Sequence, residues 1–154
     1  DPDFARSRLV FATFAEPRSD GAGTAVIRMR LNDTGTGFEQ QNIIFRQQPS
    51  YTGGNHFGSR IVFDRGGALF VALGDRFDLR EQAQNRANTI GKIVRINRDG
   101  SIPADNPGNS REGWLAPIWS IGHRNIQGAA LHPQTGKLWT AEHGARGGDE
   151  SNVP

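Results

Sequence analysis

A turn followed by a short strand recurs along this 154-residue chain, and that repeat limits what the chain can fold into. Phe63-Asp64-Arg65-Gly66-Gly67-Ala68-Leu69-Phe70-Val71-Ala72 is one copy. Leu131-His132-Pro133-Gln134-Thr135-Gly136-Lys137-Leu138-Trp139-Thr140 is another, with Leu138 lying 69 positions after Leu69. A third opens the chain as Asp1-Pro2-Asp3-Phe4 and Arg8-Leu9-Val10-Phe11-Ala12, placing Leu9 60 positions before Leu69. A second piece repeats too. Val26-Ile27-Arg28-Met29-Arg30 leads into Asn32-Asp33-Thr34-Gly35, and Ile93-Val94-Arg95-Ile96-Asn97 leads into Asp99-Gly100, with Arg28 and Arg95 67 apart. These runs alternate apolar and polar residues and end in Gly/Asn/Asp turns, as half-buried antiparallel strands do. Repeats of this length built from short strands suit β-propeller blades with long loops better than a solenoid. Two unrelated hairpins sharing a strand vocabulary are the alternative. The exception is Asp78 to Ala87, where Leu79, Ala83 and Ala87 share a helical face and Asp78 with Glu81 reads as a capping box. It predicts one short loop helix.

The repeat is cut at both ends, so the expectation is an all-β, partial propeller domain over residues 1–154, incomplete at both ends. About two and a third repeats cannot close a ring of roughly 4–8 blades. Either the chain is a fragment or copies associate as a homo-oligomer that buries the exposed sheet edges.

Composition narrows the class further. Glycine supplies 20 of 154 residues, nearly double the usual share of about 7%. That excess fits a chain rich in turns. Eighteen Lys+Arg against sixteen Asp+Glu leave a net charge of +2, with no basic run, so no nucleic-acid partner is expected. The absence of cysteine excludes disulfides, thiolate zinc sites and cysteine nucleophiles together. The longest apolar run, Ala68 to Leu73, is far too short to span a membrane, and no signal peptide is visible.

Three polar, glycine-rich constellations carry the candidate chemistry. Gly53 to Arg60, containing Asn55 and His56, leads into a strand, and Leu73-Gly74-Asp75-Arg76 ends the strand that follows. A hairpin returns its end near its beginning, so Asp75 can approach His56. A carboxylate against an imidazole fixes its tautomer and raises its basicity, which suits a general base. A surface histidine beside an unrelated turn aspartate fits the spacing as well. The third constellation joins Gly122-His123-Arg124-Asn125 to the stretch from Glu142 to Asn152. Arg124 and Asn125 suit the carboxylates of an anionic ligand. The glycines can turn carbonyls toward a hard cation such as calcium. Asp149-Glu150 offers carboxylate ligands or a solvated turn, while His123 and His143 lack the spacing of a zinc site.

Together these motifs resemble the soluble, PQQ-dependent aldose (glucose-type) sugar dehydrogenases, which are six-bladed β-propellers. The resemblance rests on Asn55-His56-Phe57-Gly58-Ser59-Arg60, Gly67 to Asp75, Ala83-Gln84, Gly91 to Ile96, Asp99 to Pro107, Gly122 to Asn125 and Glu142 to Asn152, in order along nearly the whole chain. It implies that His56 is the catalytic base and Asp75 the carboxylate that orients it. It implies that Arg124 and Asn125 contact PQQ, that the carbonyls of Gly144 and Ala145 hold calcium, and that Asn55, His56 and Arg124 meet the aldose. It further implies an external electron acceptor and a periplasmic or secreted location. Three positions depart from the family: Ser59 stands where it usually has Gly, and Ile126 and Ala145 where it usually has Pro. A calcium-dependent propeller lactonase and a non-catalytic propeller binding module are the competing readings.

Overall fold

The computed structural model describes residues 1–154. Ten strands form three antiparallel sheets. The first holds β1 (Leu9–Arg18), β2 (Gly21–Leu31) and β3 (Phe38–Arg46) in that order. The second holds β4 (Gly58–Phe63), β5 (Leu69–Leu73), β6 (Lys92–Ile96) and β7 (Ile118–Ile121), and the third β8 (Ile126–Leu131), β9 (Leu138–Glu142) and β10 (Glu150–Asn152). Leu9, Leu69 and Leu138 open β1, β5 and β9, so the repeat read in the sequence is a repeat of blades. By the same correspondence β4 matches β8, and β2 matches β6.

Burial along β5 explains how the blades stack. All five of its residues are buried, although successive strand residues face opposite sides. Leu69, Val71 and Leu73 join Val26, Val94 and Ile96 in a core shared with the first sheet, backed by Phe11, Phe45 and Phe63. Phe70 and Ala72 join Ile93, Ile126 and Leu138 in a second core shared with the third sheet. One strand therefore serves two cores. Each large side chain so buried contributes about 1.5–3 kcal/mol. Face-to-face packing of both sides makes this the middle of three consecutive propeller blades. Cross-blade hydrogen bonds lock the order: Thr13 Oγ1 donates to Ser59 O at 2.9 Å, and Arg60 Nε donates to Gln127 O.

The expected loop helix is shorter than its pattern suggested. A single 3₁₀ turn spans Arg80–Gln84; Ala83 is buried, but Ala87 is exposed. Asp78 makes no cap: Leu79 stands at the N-cap, and the Asp78 carboxylate accepts the Tyr51 hydroxyl at 2.8 Å. Two α-helical turns were also not foreseen: α1 (Phe4–Ser7), where a plain turn was expected, and α2 (Pro107–Ser110), which has Pro at its start. A further 3₁₀ turn, Ala145–Gly147, follows β9.

Candidate active site

The segments entering β4 and β8 and those leaving β5 and β9 meet at one edge of the blades, and the sequence-predicted residues lie on them. His56 Nδ1 lies 2.7 Å from Asp75 Oδ1, with the Asp75 side chain only 4% exposed. Asp75 is itself fixed: Oδ1 accepts the Phe77 N–H at 2.8 Å, and its own N–H donates to Arg124 O at 2.8 Å. With the carboxylate as acceptor, the proton sits on Nδ1 and the lone pair on Nε2, which has no partner. Phe77 packs edge-on against the imidazole, with ring centroids 5.2 Å apart.

Backbone geometry here is unusual. His56, Arg76 and Phe77 all have left-handed φ, at 51°, 59° and 67°. Non-glycine residues rarely adopt this region, and such conformations persist where surroundings over-determine them. Gly74 shows one such constraint, since a Cβ there would collide with the His56 carbonyl.

Arg124 and Asn125 sit beside the pair. Arg124 Nη1 donates to His143 O at 2.9 Å. Asn125 Oδ1 accepts from Gly58 N–H at 3.3 Å and Gln127 Nε2 at 3.0 Å, which leaves its amide N–H₂ as an available donor. A cavity of about 260 Å³ is lined by Asp75, Arg80, Gln84, His123, Arg124 and Ala145, among others. Two arginines among its lining residues suit an anionic ligand. Arg80 was not singled out from the sequence. Asn55 is exposed, and its carbonyl accepts Arg76 Nε at 3.0 Å.

The loop after β9 closes tightly, for a Cβ on Gly144 would collide with the Gly148 carbonyl. Gly144 N–H donates to Asp149 Oδ1 at 3.0 Å, and Ala145 O accepts Gly148 N–H at 3.1 Å. No three His, Cys, Asp or Glu side chains converge as metal ligands. A cation here would therefore depend on carbonyls such as that of Gly144, which accepts no hydrogen bond.

One feature escaped the sequence reading. His123 Nδ1 lies 3.0 Å from Glu142 Oε1, forming a second buried histidine–carboxylate couple. His56 and Asp75 are 19 residues apart, as are His123 and Glu142, and the couples are offset by 67, the spacing of Arg28 and Arg95. That period was the signal. Glu142 Oε2 also accepts Arg124 N–H at 2.7 Å, and Oε1 accepts Asn152 Nδ2 at 2.8 Å. Burial works to raise the Glu142 pKa, but the bonds from His123, Arg124 and Asn152 prevail and hold it below the usual range. His123 Nε2 meets Ser120 Oγ at 2.9 Å, giving the contact order of an acyl-transfer triad. The N–H groups of Gly122 and His123, however, already donate to Ala83 and Gly91 carbonyls, so neither is left for an oxyanion. This couple holds structure.

Residues 1–154 match the family profile described as Glucose / Sorbosone dehydrogenase. The chain is 47% identical over 154 residues to the aldose sugar dehydrogenase of Escherichia coli K12, covering 99% of this chain and 41% of that protein. Among solved structures, a glucose dehydrogenase superposes with a TM-score of 0.95 at 50% identity, covering 99% of this chain and 45% of the other. The PQQ-bound aldose sugar dehydrogenase of Streptomyces coelicolor superposes with a TM-score of 0.83 at 30% identity, over 99% and 42% of the two chains. The chain thus spans less than half the length of each of these relatives.

Proposed function

The chain belongs to the glucose/sorbosone dehydrogenase family, and from that premise we propose that it carries the base and part of the cofactor wall of a PQQ- and calcium-dependent aldose dehydrogenase. The observation that carries this reading is the His56–Asp75 pair, held at 2.7 Å with Nε2 unpartnered. Oxidising an aldose at its anomeric carbon removes a hydroxyl proton and a hydride, leaving a lactone. His56 Nε2 takes the proton. Asp75 keeps the ring in the tautomer that can accept it and stabilises the imidazolium that forms.

The residues fit the cofactor by their donor chemistry. Arg124, Arg80 and the Asn125 amide offer cationic and neutral donors to a tricarboxylate quinone, and the carbonyls of Gly144 and Ala145 suit a hard cation. When bound, PQQ supplies the acceptor for the hydride and calcium the charge that polarises it. Asn55, His56 and Arg124 meet the sugar, and an external acceptor reoxidises the cofactor. No helix is long and apolar enough to cross a membrane. The reading places the enzyme in the periplasm or outside the cell.

The test is dye-coupled aldose oxidation by the protein loaded with PQQ and calcium. His56→Gln is expected to abolish turnover while leaving PQQ affinity nearly intact. Equal loss of both would make His56 structural. Failure of the folded protein to bind PQQ would remove the oxidoreductase reading.

A further inference from the structure

His56 is held by more than its aspartate. Arg76 is wholly buried, yet no carboxylate faces it. Its Nε donates to Asn55 O at 3.0 Å, Nη1 to Ala22 O at 2.7 Å and Nη2 to Gly53 O. The guanidinium carbon lies 3.7 Å from the centroid of the Phe57 ring. A buried cation without a counter-ion costs free energy that an apolar residue would not, so its retention calls for a reason.

The contacts supply one. Three of the four fall on Gly53 to Phe57, the segment that carries His56, and the fourth anchors that segment to β2 of the neighbouring blade. The segment has few ties of its own: His56 O accepts Arg76 N–H at 3.3 Å, and Phe57 O accepts Gly74 N–H at 3.2 Å and Thr24 Oγ1 at 2.7 Å. Within it, His56 adopts a φ of 51°, which must be imposed from outside. A guanidinium is suited to that task, because its rigid fork meets several carbonyls at once while its flat face stacks on an aromatic ring.

We propose that Arg76 is a positioning residue for His56: its buried fork holds Gly53 to Phe57 so that the imidazole meets Asp75 and Nε2 stays open to substrate. The role in turnover rests on the dehydrogenase reading above; the role in orienting the ring does not. A lysine in its place keeps the charge but loses the fork, so it cannot hold all three carbonyls in the same geometry.

The test uses the whole protein with ¹⁵N-labelled histidine. In the wild type, the Nδ1 proton shared with Asp75 gives a low-field resonance, assigned by its disappearance in His56→Gln. Arg76→Met and Arg76→Lys are expected to lose or displace that resonance. In the PQQ-loaded enzyme they should lower kcat roughly 100-fold, the scale of an ångström's misplacement, with PQQ affinity kept. A merely structural role would lower the melting temperature and leave the resonance unchanged. A wild-type resonance in folded Arg76→Met overturns the proposal; if that variant does not fold, the same result in Arg76→Lys does. If the wild type oxidises no aldose, the dehydrogenase reading fails, and the resonance alone decides the role of Arg76.

Discussion

Lys92 offers the sharpest quantitative test of how the cavity wall is held. It is fully buried on β6, and its ammonium donates to the carbonyls of Gln82 (2.9 Å), Ala83 (2.9 Å) and Ile90 (2.6 Å). It thereby ties down the 3₁₀ turn that carries Ala83 and Gln84 to the cavity. Burial lowers its pKa from 10.5 to about 8. Between those two values the unfolded chain holds a proton that the folded chain has released, so stability rises with pH across this window. The shift corresponds to about 3–4 kcal/mol at most. Lys92→Met removes both effects. At pH 7 it orphans three carbonyls and should destabilise by about 1–3 kcal/mol. From pH 8 to 10 the wild type gains and the variant does not, so the gap between them should widen. Urea denaturation of both proteins at pH 7, 8, 9 and 10 measures it. The chain's other lysine, Lys137, is exposed and common to both, so the difference isolates Lys92. A gap that stays constant or narrows would refute the claim that folding penalises a buried ammonium here.

Other expectations follow from contacts at the same edge. Asp75→Asn loses the charge that orients His56, so kcat should fall about 10²–10⁴-fold in steady-state assays, with PQQ affinity retained; an unchanged kcat would dissociate Asp75 from the base. Glu142→Gln replaces one accepting oxygen by an amide N–H₂ that faces donors, and should destabilise by about 2 kcal/mol in thermal melts. Because its carboxyl is held below the usual 4.5, that deficit should shrink as pH falls below this value; a deficit insensitive to acid would contradict the stabilising bonds to the carboxylate. Gly74→Ala drives a methyl into the His56 carbonyl, and a loss of about 1–3 kcal/mol is expected in urea denaturation.

How much of this could be read from residues alone differs by feature. The strand repeat was legible because alternation and glycine turns report local structure, and β5 stood out because both of its faces are buried. Hairpin closure was enough to bring Asp75 toward His56. The helix expected over Asp78 to Ala87 is present but shorter, starting after Leu79, and Asp78 instead accepts the Tyr51 hydroxyl, a contact across 27 residues that no local pattern encodes. Arg76 and Lys92 look like ordinary surface cations in the sequence. Their burial depends on carbonyls that only the folded loops assemble. Glu142 was within reach, had the 67-residue spacing been applied to the side chains as well as to the strands.

The two histidine–carboxylate couples show what a tandem architecture can do with one invention. Both hold an imidazole by Nδ1; they differ at the far nitrogen, which Ser120 occupies on His123 and nothing occupies on His56. Sixty-seven residues before Ser120 the chain has Gly53, which carries no hydroxyl. One imidazole is thus engaged at both nitrogens and the other at one. Duplicated units of this kind let one copy tie its imidazole on both sides while its sibling keeps one nitrogen open.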